Sequence, residues 1–358
     1  MERKGVEEYQ HFITLAALII VIGGLPFFVT SSYHLSIMAF IGINTMLAVG
    51  LCLLMGYAGQ VSLGHAAFYG IGAYASGILT TRFQINPWLA MAMAAIVTGV
   101  IAYVISVPMF RLKGNNLAMG TLGFGIIVYL VFVEMRDWTG GPSGLMSIPS
   151  LSAFGFVFDS DMKYYYLIWA FTLLFLVLSL NIVNSRVGRA LRSIHGSEVA
   201  AETLGVNTSK YKSQILVVSA VYASIAGSLY AHYLTFINPQ PFSFKLSIEI
   251  VVMVVIGGLS SVWGAIFGAA TTTVLSEVLR ALIPKLLRGA TGEYEIVVFG
   301  VILMVVMIFM PEGLFSGIVR RAKAWRNGRA LRMRAIESDA ALHTNGLVGQ
   351  GPVVAKDK

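Results

Sequence analysis

Apolar residues in this chain come in long blocks separated by short polar stretches. A bilayer's hydrocarbon core, roughly 30 Å thick, takes about 20 apolar residues per helix. Blocks of that order fall at 12–30, 35–55, 64–81, 88–110, 117–134, 164–184, 213–235, 246–263, 264–283 and 294–312. The pattern predicts an all-α polytopic membrane protein with about ten transmembrane helices. It divides the chain into a polar N-terminus (1–11), a membrane domain (12–318) and a basic tail (319–358) with no helical pattern beyond about Ala335. Two glycine- and serine-rich breaks interrupt the blocks, M-G-Y-A-G-Q-V-S-L-G-H from Met55 to His65 and G-G-L-S-S-V-W-G from Gly257 to Gly264. Lipid cannot satisfy the N–H and C=O groups of non-helical backbone, so such breaks must be buried in protein or line a wet cavity. The stretch 246–283 is nearly continuous and reads either as two spans or as one span and a re-entrant piece.

The polar stretch from Arg186 to Lys212 is the longest interruption that keeps a helical pattern. Within it Ser197 stands as an N-cap with Glu198 in the first turn, and Gly205 stands where a helix would stop after Leu204. A helix of about two turns, about 10 Å long, results. Ala200, Ala201 and Leu204 are expected on one face. So short a helix is not stable alone in water and must pack on its own chain or on a partner. From the residues alone, a loop that only fixes topology and a docking site both stay open.

Charge decides the orientation. The chain carries 25 Lys and Arg against 17 Asp and Glu, a formal +8. Starting from a cytoplasmic N-terminus, ten spans place Arg111, Lys113, the Arg186–Lys212 stretch and the basic tail inside, in agreement with the positive-inside rule. Lys285 and Arg288 fall outside as a mild exception. The basic tail is accounted for by cytoplasmic retention and contact with anionic lipid, and no nucleic-acid partner is implied. The N-terminus is too polar and acidic for a signal peptide, so the first span is expected to be retained.

Candidate chemistry is sparse. No Gly-Lys pair occurs, so the chain has no phosphate-binding P-loop of its own, and there is no H-E-x-x-H. The single cysteine, Cys52, excludes an intrachain disulfide or a multi-cysteine metal site. No catalytic residue, metal site or cofactor is expected. Polar residues inside spans are costly in lipid and tend to face a cavity or a partner. Those that stand out are Asn44, Gln60, Ser62, His65 and Glu249, with Glu277 and Arg280 spaced to pair on one helix face. For each of the first five, a structural role stands beside a role in a substrate path. A proton relay needs a chain of acids or histidines, which this sequence offers only as scattered residues.

Taken as an ordered set, several motifs resemble the permease subunits of branched-chain amino acid importers of the ATP-binding cassette class. They are G-Y-A-G-Q-V-S-L-G-H-A-A-F-Y-G-I-G-A-Y from Gly56, G-N-N-L-A-M-G-T-L-G-F-G from Gly114, T-G-G-P-S-G-L from Thr139, G-R-A-L-R-S-I from Gly188, E-V-A-A-E-T-L-G-V from Glu198, M-V-V-I-G-G-L-S-S-V-W-G from Met253 and P-E-G-L-F from Pro311. The likeness runs from about Leu35 to Phe315 and is strongest to the larger of the two permeases that such importers pair. It implies inward transport of a small amphipathic amino acid by alternating access across the bacterial inner membrane, with both termini cytoplasmic. Its implied partners are a second homologous permease, two cytoplasmic ATP-binding subunits that hold ATP and Mg, a periplasmic amino-acid-binding protein and membrane lipid. It also implies that Glu198, Ala200, Ala201, Leu204 and Gly205, with Arg189 and Arg192 upstream, form the coupling helix that meets the ATPase. The match departs at His195 and Gly196, where acidic or polar residues are commoner. The alternative reading is an ion- or proton-coupled secondary transporter of a small solute.

Overall fold

The computed structural model describes residues 2–28, 31–112, 114–153 and 156–286, with single helical positions at 300, 301, 304 and 308; side chains are described from Thr14 to Leu282 apart from a few positions. The helices are α1 (Glu2–Phe28), α2 (Ser32–Leu51), α3 (His65–Arg82), α4 (Pro87–Met109), α5 (Asn115–Glu134), α6 (Arg136–Thr139), α7 (Asp161–Asn184), α8 (Arg186–Gly196), α9 (Glu198–Thr203), α10 (Thr208–Leu234), α11 (Phe244–Gly257) and α12 (Val262–Leu286). The only strands among the described residues are a two-residue antiparallel pair that sets Ser152 opposite Val157.

Among the described residues six helices are long and apolar enough to cross a membrane: Ser32–Tyr57, Pro87–Met109, Asn115–Glu134, Asp161–Asn184, Thr208–Leu234 and Val262–Leu282. The expectation of about ten is not confirmed, and the differences are local. Helix α3 is 18 residues long, but Gly70, Gly72, Ser76, Gly77 and Thr80 dilute its apolar character, and most of it is buried in protein. Helix α11 has 14 residues, about 21 Å at 1.5 Å each, and is too short to span. The first apolar block is helical, but its described apolar part, Thr14–Phe27, is also short. The block at 294–312 and the tail at 319–358 lie outside the described residues, apart from the single positions already named.

The near-continuous stretch 246–283 resolves into a hairpin of α11 and α12. Its two arms touch backbone to backbone. A Cβ on Gly257 would lie 2.0 Å from the Gly264 carbonyl oxygen, and one on Gly268 would lie 1.8 Å from that of Met253. Small residues admit this approach, which lets two helices associate in lipid through close packing. Helix α12 returns to the start of α2, where the Tyr33 hydroxyl donates to Glu277 and Arg280 sits 3.9 Å from the same carboxylate. The predicted Glu277–Arg280 pair is therefore present.

Helices α2 and α10 form the axis of the bundle, and α5 lies at its edge. Helix α10 packs along α3 and α4, while α2 packs against α7 and α12. The α3–α10 contact is again built on small residues. A Cβ on Gly72 would meet the Ser224 carbonyl oxygen at 2.2 Å, and one on Gly227 would meet that of Tyr69 at 2.0 Å. The Ser228 hydroxyl donates to the Gly72 carbonyl at 3.1 Å across the same seam. At the end of the bundle away from α8 and α9, His232 ties the connection after α6 to the helices. Its Nδ1 lies 2.7 Å from the Pro149 carbonyl oxygen and its Nε2 lies 2.8 Å from Ser76 Oγ. Because a carbonyl only accepts, Nδ1 carries the proton.

Candidate functional site

The two glycine-rich breaks meet. Helix α2 widens into a π-helical turn over Cys52–Tyr57 before the chain leaves helical geometry. From that turn the Cys52 thiol donates to the Leu259 carbonyl at 3.2 Å, and the Tyr57 hydroxyl donates to the Ser260 carbonyl at 2.9 Å. Between them Gly56 lies flat against the second break, so close that a Cβ there would stand 1.6 Å from the Leu259 carbonyl oxygen. Side chains satisfy the exposed carbonyls of one break from the other, which is how non-helical backbone is made tolerable at such a place.

Three further helices hold the first break. The Leu63 amide donates to Thr121 Oγ1 of α5 at 3.0 Å, and the Ala66 amide donates to Ser247 Oγ of α11 at 3.0 Å. His65 Nε2 lies 3.3 Å from Ser219 Oγ of α10. The Ala66 amide, in the first turn of α3 where amides have no partner within the helix, is thereby supplied by a hydroxyl from a neighbouring helix. Two buried polar atoms, Ser62 Oγ and His65 Nδ1, have no hydrogen-bond partner among the described residues. Gln60 turns its amide back onto the Ala58 carbonyl at 3.0 Å and lines a narrow crevice with Ser62, Thr121, Phe110 and Leu216.

Of the five pathway candidates, the fold therefore gathers Gln60, Ser62 and His65 and leaves two apart. The Asn44 amide donates to Thr273 Oγ1 at 2.9 Å, tying α2 to α12. Glu249 sits 3.7 Å from Lys245 one turn earlier on α11.

The break also adjoins the segment that the sequence singles out as a docking element. Helix α8 is strongly two-faced: Gly188, Leu191 and Ile194 are buried, and Arg186, Arg189 and Arg192 are exposed. Ser185 caps it, accepting from the Val187 amide at 3.1 Å. Its last turn lies on the first break. A Cβ on Gly59, whose φ is +68°, would sit 3.2 Å from His195 Nδ1. Helix α9 follows at once. Ser197 caps it through the Ala200 amide at 3.3 Å, and Gly205 ends it with φ +82°, both as the sequence predicts.

The faces of α9 differ from expectation. Ala201 is buried against the body of the protein, whereas Leu204 is 81% exposed and Val199 is 68% exposed. Leu204 is the C-cap residue, past the last helical turn, so it does not continue the Ala201 face. Glu198 is turned inward, with Oε1 2.5 Å from Lys212 Nζ. Glu202 accepts from Thr208 Oγ1 at 2.7 Å. Thr121, Ser219 and Ser247 escape a sequence reading, because a lone hydroxyl in an apolar helix does not reveal which helix it will meet.

Buried amides, interlocked backbone breaks and lipid-length helices around them define a multi-pass membrane protein with a sealed polar layer at one end. Residues 33–307 match the family described as branched-chain amino acid transport system, permease component. The chain belongs to that family, a family of transport permeases and not of enzymes. It is similar to the high-affinity branched-chain amino acid transport system permease protein LivM of Salmonella typhimurium, 30% identical over 324 residues that make up 84% of this chain and 74% of the relative. The Escherichia coli LivM is 29% identical, with 88% of this chain and 77% of the relative covered. The permease protein LivH of Salmonella typhimurium is 26% identical over 76% of this chain and 90% of its own length.

Proposed function

We propose that this chain is the larger permease subunit of an ATP-binding cassette importer in a bacterial inner membrane, taking up branched-chain or related small amphipathic amino acids. A second homologous permease completes the passage, a periplasmic binding protein delivers the amino acid, and two cytoplasmic ATPases supply the work. The observation that carries the reading is α9, a capped six-residue helix with Val199 and Leu204 projecting beyond the body of the protein. Apolar side chains on a helix too short to stand alone call for a partner surface. Arg111, Arg186, Arg189, Arg192 and Lys210 are exposed at the same end, which supports a cytoplasmic side for it under the positive-inside rule.

In the mechanism we favour, closure of the ATPase dimer moves α8 and α9, and the helices reorient between outward and inward access. His195 against Gly59 and Glu198 against Lys212 give the movement two entry points. The layer where the breaks meet, with Gln60, Ser62 and His65 in it, is then the inner barrier of the path. Ser62 Oγ and His65 Nδ1 would give a passing ammonium or carboxylate its hydrogen bonds, since a buried polar atom without a partner is costly.

Co-purification tests the proposal. ATPase subunits should travel with the chain, and the complete assembly in vesicles should concentrate radiolabelled leucine only with ATP inside the ATPase compartment. Uphill accumulation by the lone chain, driven by an ion gradient, would overturn it.

A further inference from the structure

We infer that Lys212 is a positioning residue that clamps the docking helix to α10, so that α9 and α10 move as one body. The inference rests on the proposed role of α9. Among the described residues Lys212 is the only Lys, Arg, Asp or Glu with a buried side chain, 4% exposed. An ammonium ion is kept out of water only where a partner compensates it. Here the compensation comes from Glu198 Oε1 at 2.5 Å, the first residue of α9, and from the face of Phe110 at the end of α4, whose centroid lies 5.9 Å away.

The second acid of α9 points the same way, since Glu202 accepts from Thr208 Oγ1 at 2.7 Å. The covalent link between the two helices is Leu204–Asn207, a turn through Gly205 at φ +82° that alone would let α9 swivel. Ties at both ends of α9 remove that freedom. Both of its acids are engaged with α10, and Val199 and Leu204 are its exposed large apolar side chains. The contact with the ATPase is thus apolar at its centre, and Glu198 anchors the helix from behind.

The clamp also settles where a push on α9 goes. Helix α10 is interlocked with α3 through Gly72 and Gly227, each too close to the facing carbonyl to admit a Cβ. A displacement of α9 carried by Lys212 therefore reaches α3 and the break at its start, without bending the loop at Gly205.

Two measurements test this on the full chain. In the assembly with its ATPases, Lys212→Met should leave co-purification unchanged while uptake per ATP hydrolysed falls at least tenfold. Lys212→Arg should retain coupling, and Glu198→Lys combined with Lys212→Glu should restore part of it. Coupling within twofold of the parent in Lys212→Met overturns the inference, as does loss in simple proportion to assembly. The second measurement needs no partner. A spin label on Val199→Cys, in a Cys52→Ser background, should be immobile and should gain mobility when Lys212→Met is added. An unchanged spectrum overturns the clamp even if the ATPase docks as proposed. A mobilised label with no ATPase bound to the parent chain leaves the clamp standing and overturns the docking role instead.

Discussion

Gly56→Ala tests whether the two breaks are pressed together as closely as their hydrogen bonds indicate. The new Cβ would lie 1.6 Å from the Leu259 carbonyl oxygen and 2.7 Å from its carbon, and both are backbone atoms that cannot rotate away. To reach even 3.0 Å the second break must retreat by about 1.4 Å, and overpacking of this kind costs about 1–3 kcal/mol. The retreat stretches the Cys52–Leu259 and Tyr57–Ser260 hydrogen bonds, now 3.2 and 2.9 Å. Cys52 is the chain's single cysteine and is fully buried, so its alkylation by a small maleimide reports directly on the opening of this layer. Where labelling proceeds through transient opening, its rate follows the open population. A cost of about 1–3 kcal/mol then raises the rate by roughly 5- to 150-fold, at about 1.4 kcal/mol per tenfold. An unchanged rate for Gly56→Ala, in protein that purifies normally, would refute the close contact and with it the sealed layer.

Other perturbations separate the remaining parts. Leu204→Asp puts a charge on the most exposed apolar residue of α9 and should abolish ATPase co-purification and uptake together, with the chain's own thermal stability unchanged. Gln60→Leu removes the amide from the crevice beside the breaks and should lower leucine uptake more than it lowers the yield of assembled complex. His232→Phe leaves the Pro149 carbonyl and the Ser76 hydroxyl without their partner, a loss of about 2–4 kcal/mol. It should show as earlier thermal unfolding and as new protease cleavage within residues 145–153.

What the sequence made legible is what depends on neighbours along the chain. Ser197 and Gly205 bound α9 because a cap and a left-handed terminator act within one helical turn. Glu277 and Arg280 pair because three residues bring them to one face. The amphipathic α8 was legible too, with Arg186, Arg189 and Arg192 spaced against Leu191 and Ile194, though it lay inside a stretch read as a loop. Block counting is least informative where protein replaces lipid around a helix. α3 needs no apolar outer face because α10 and α4 cover it, and α11 ends at Gly257 after 14 residues. The pairing of the breaks was hidden as well, since Cys52 and Leu259 are 207 residues apart. The inward turn of Glu198 onto Lys212 was hidden by its motif, which does not say which side of the helix faces a partner.

The geometry then constrains how such a permease would open. The inner layer is touched by α8 through His195 and Gly59, and it is also reached from α9 through α10 and α3. If the clamp holds, a single push on the docking segment loads the first break from two sides. The break itself is held by hydroxyls on α5, α10 and α11, each through one hydrogen bond. Single bonds to hydroxyls, worth about 1 kcal/mol each, can be exchanged one at a time, unlike a run of backbone ladder. On the proposed mechanism, modest work applied from α8 and α9 would then suffice to part the layer, while the glycines that let its carbonyls approach keep it closely packed.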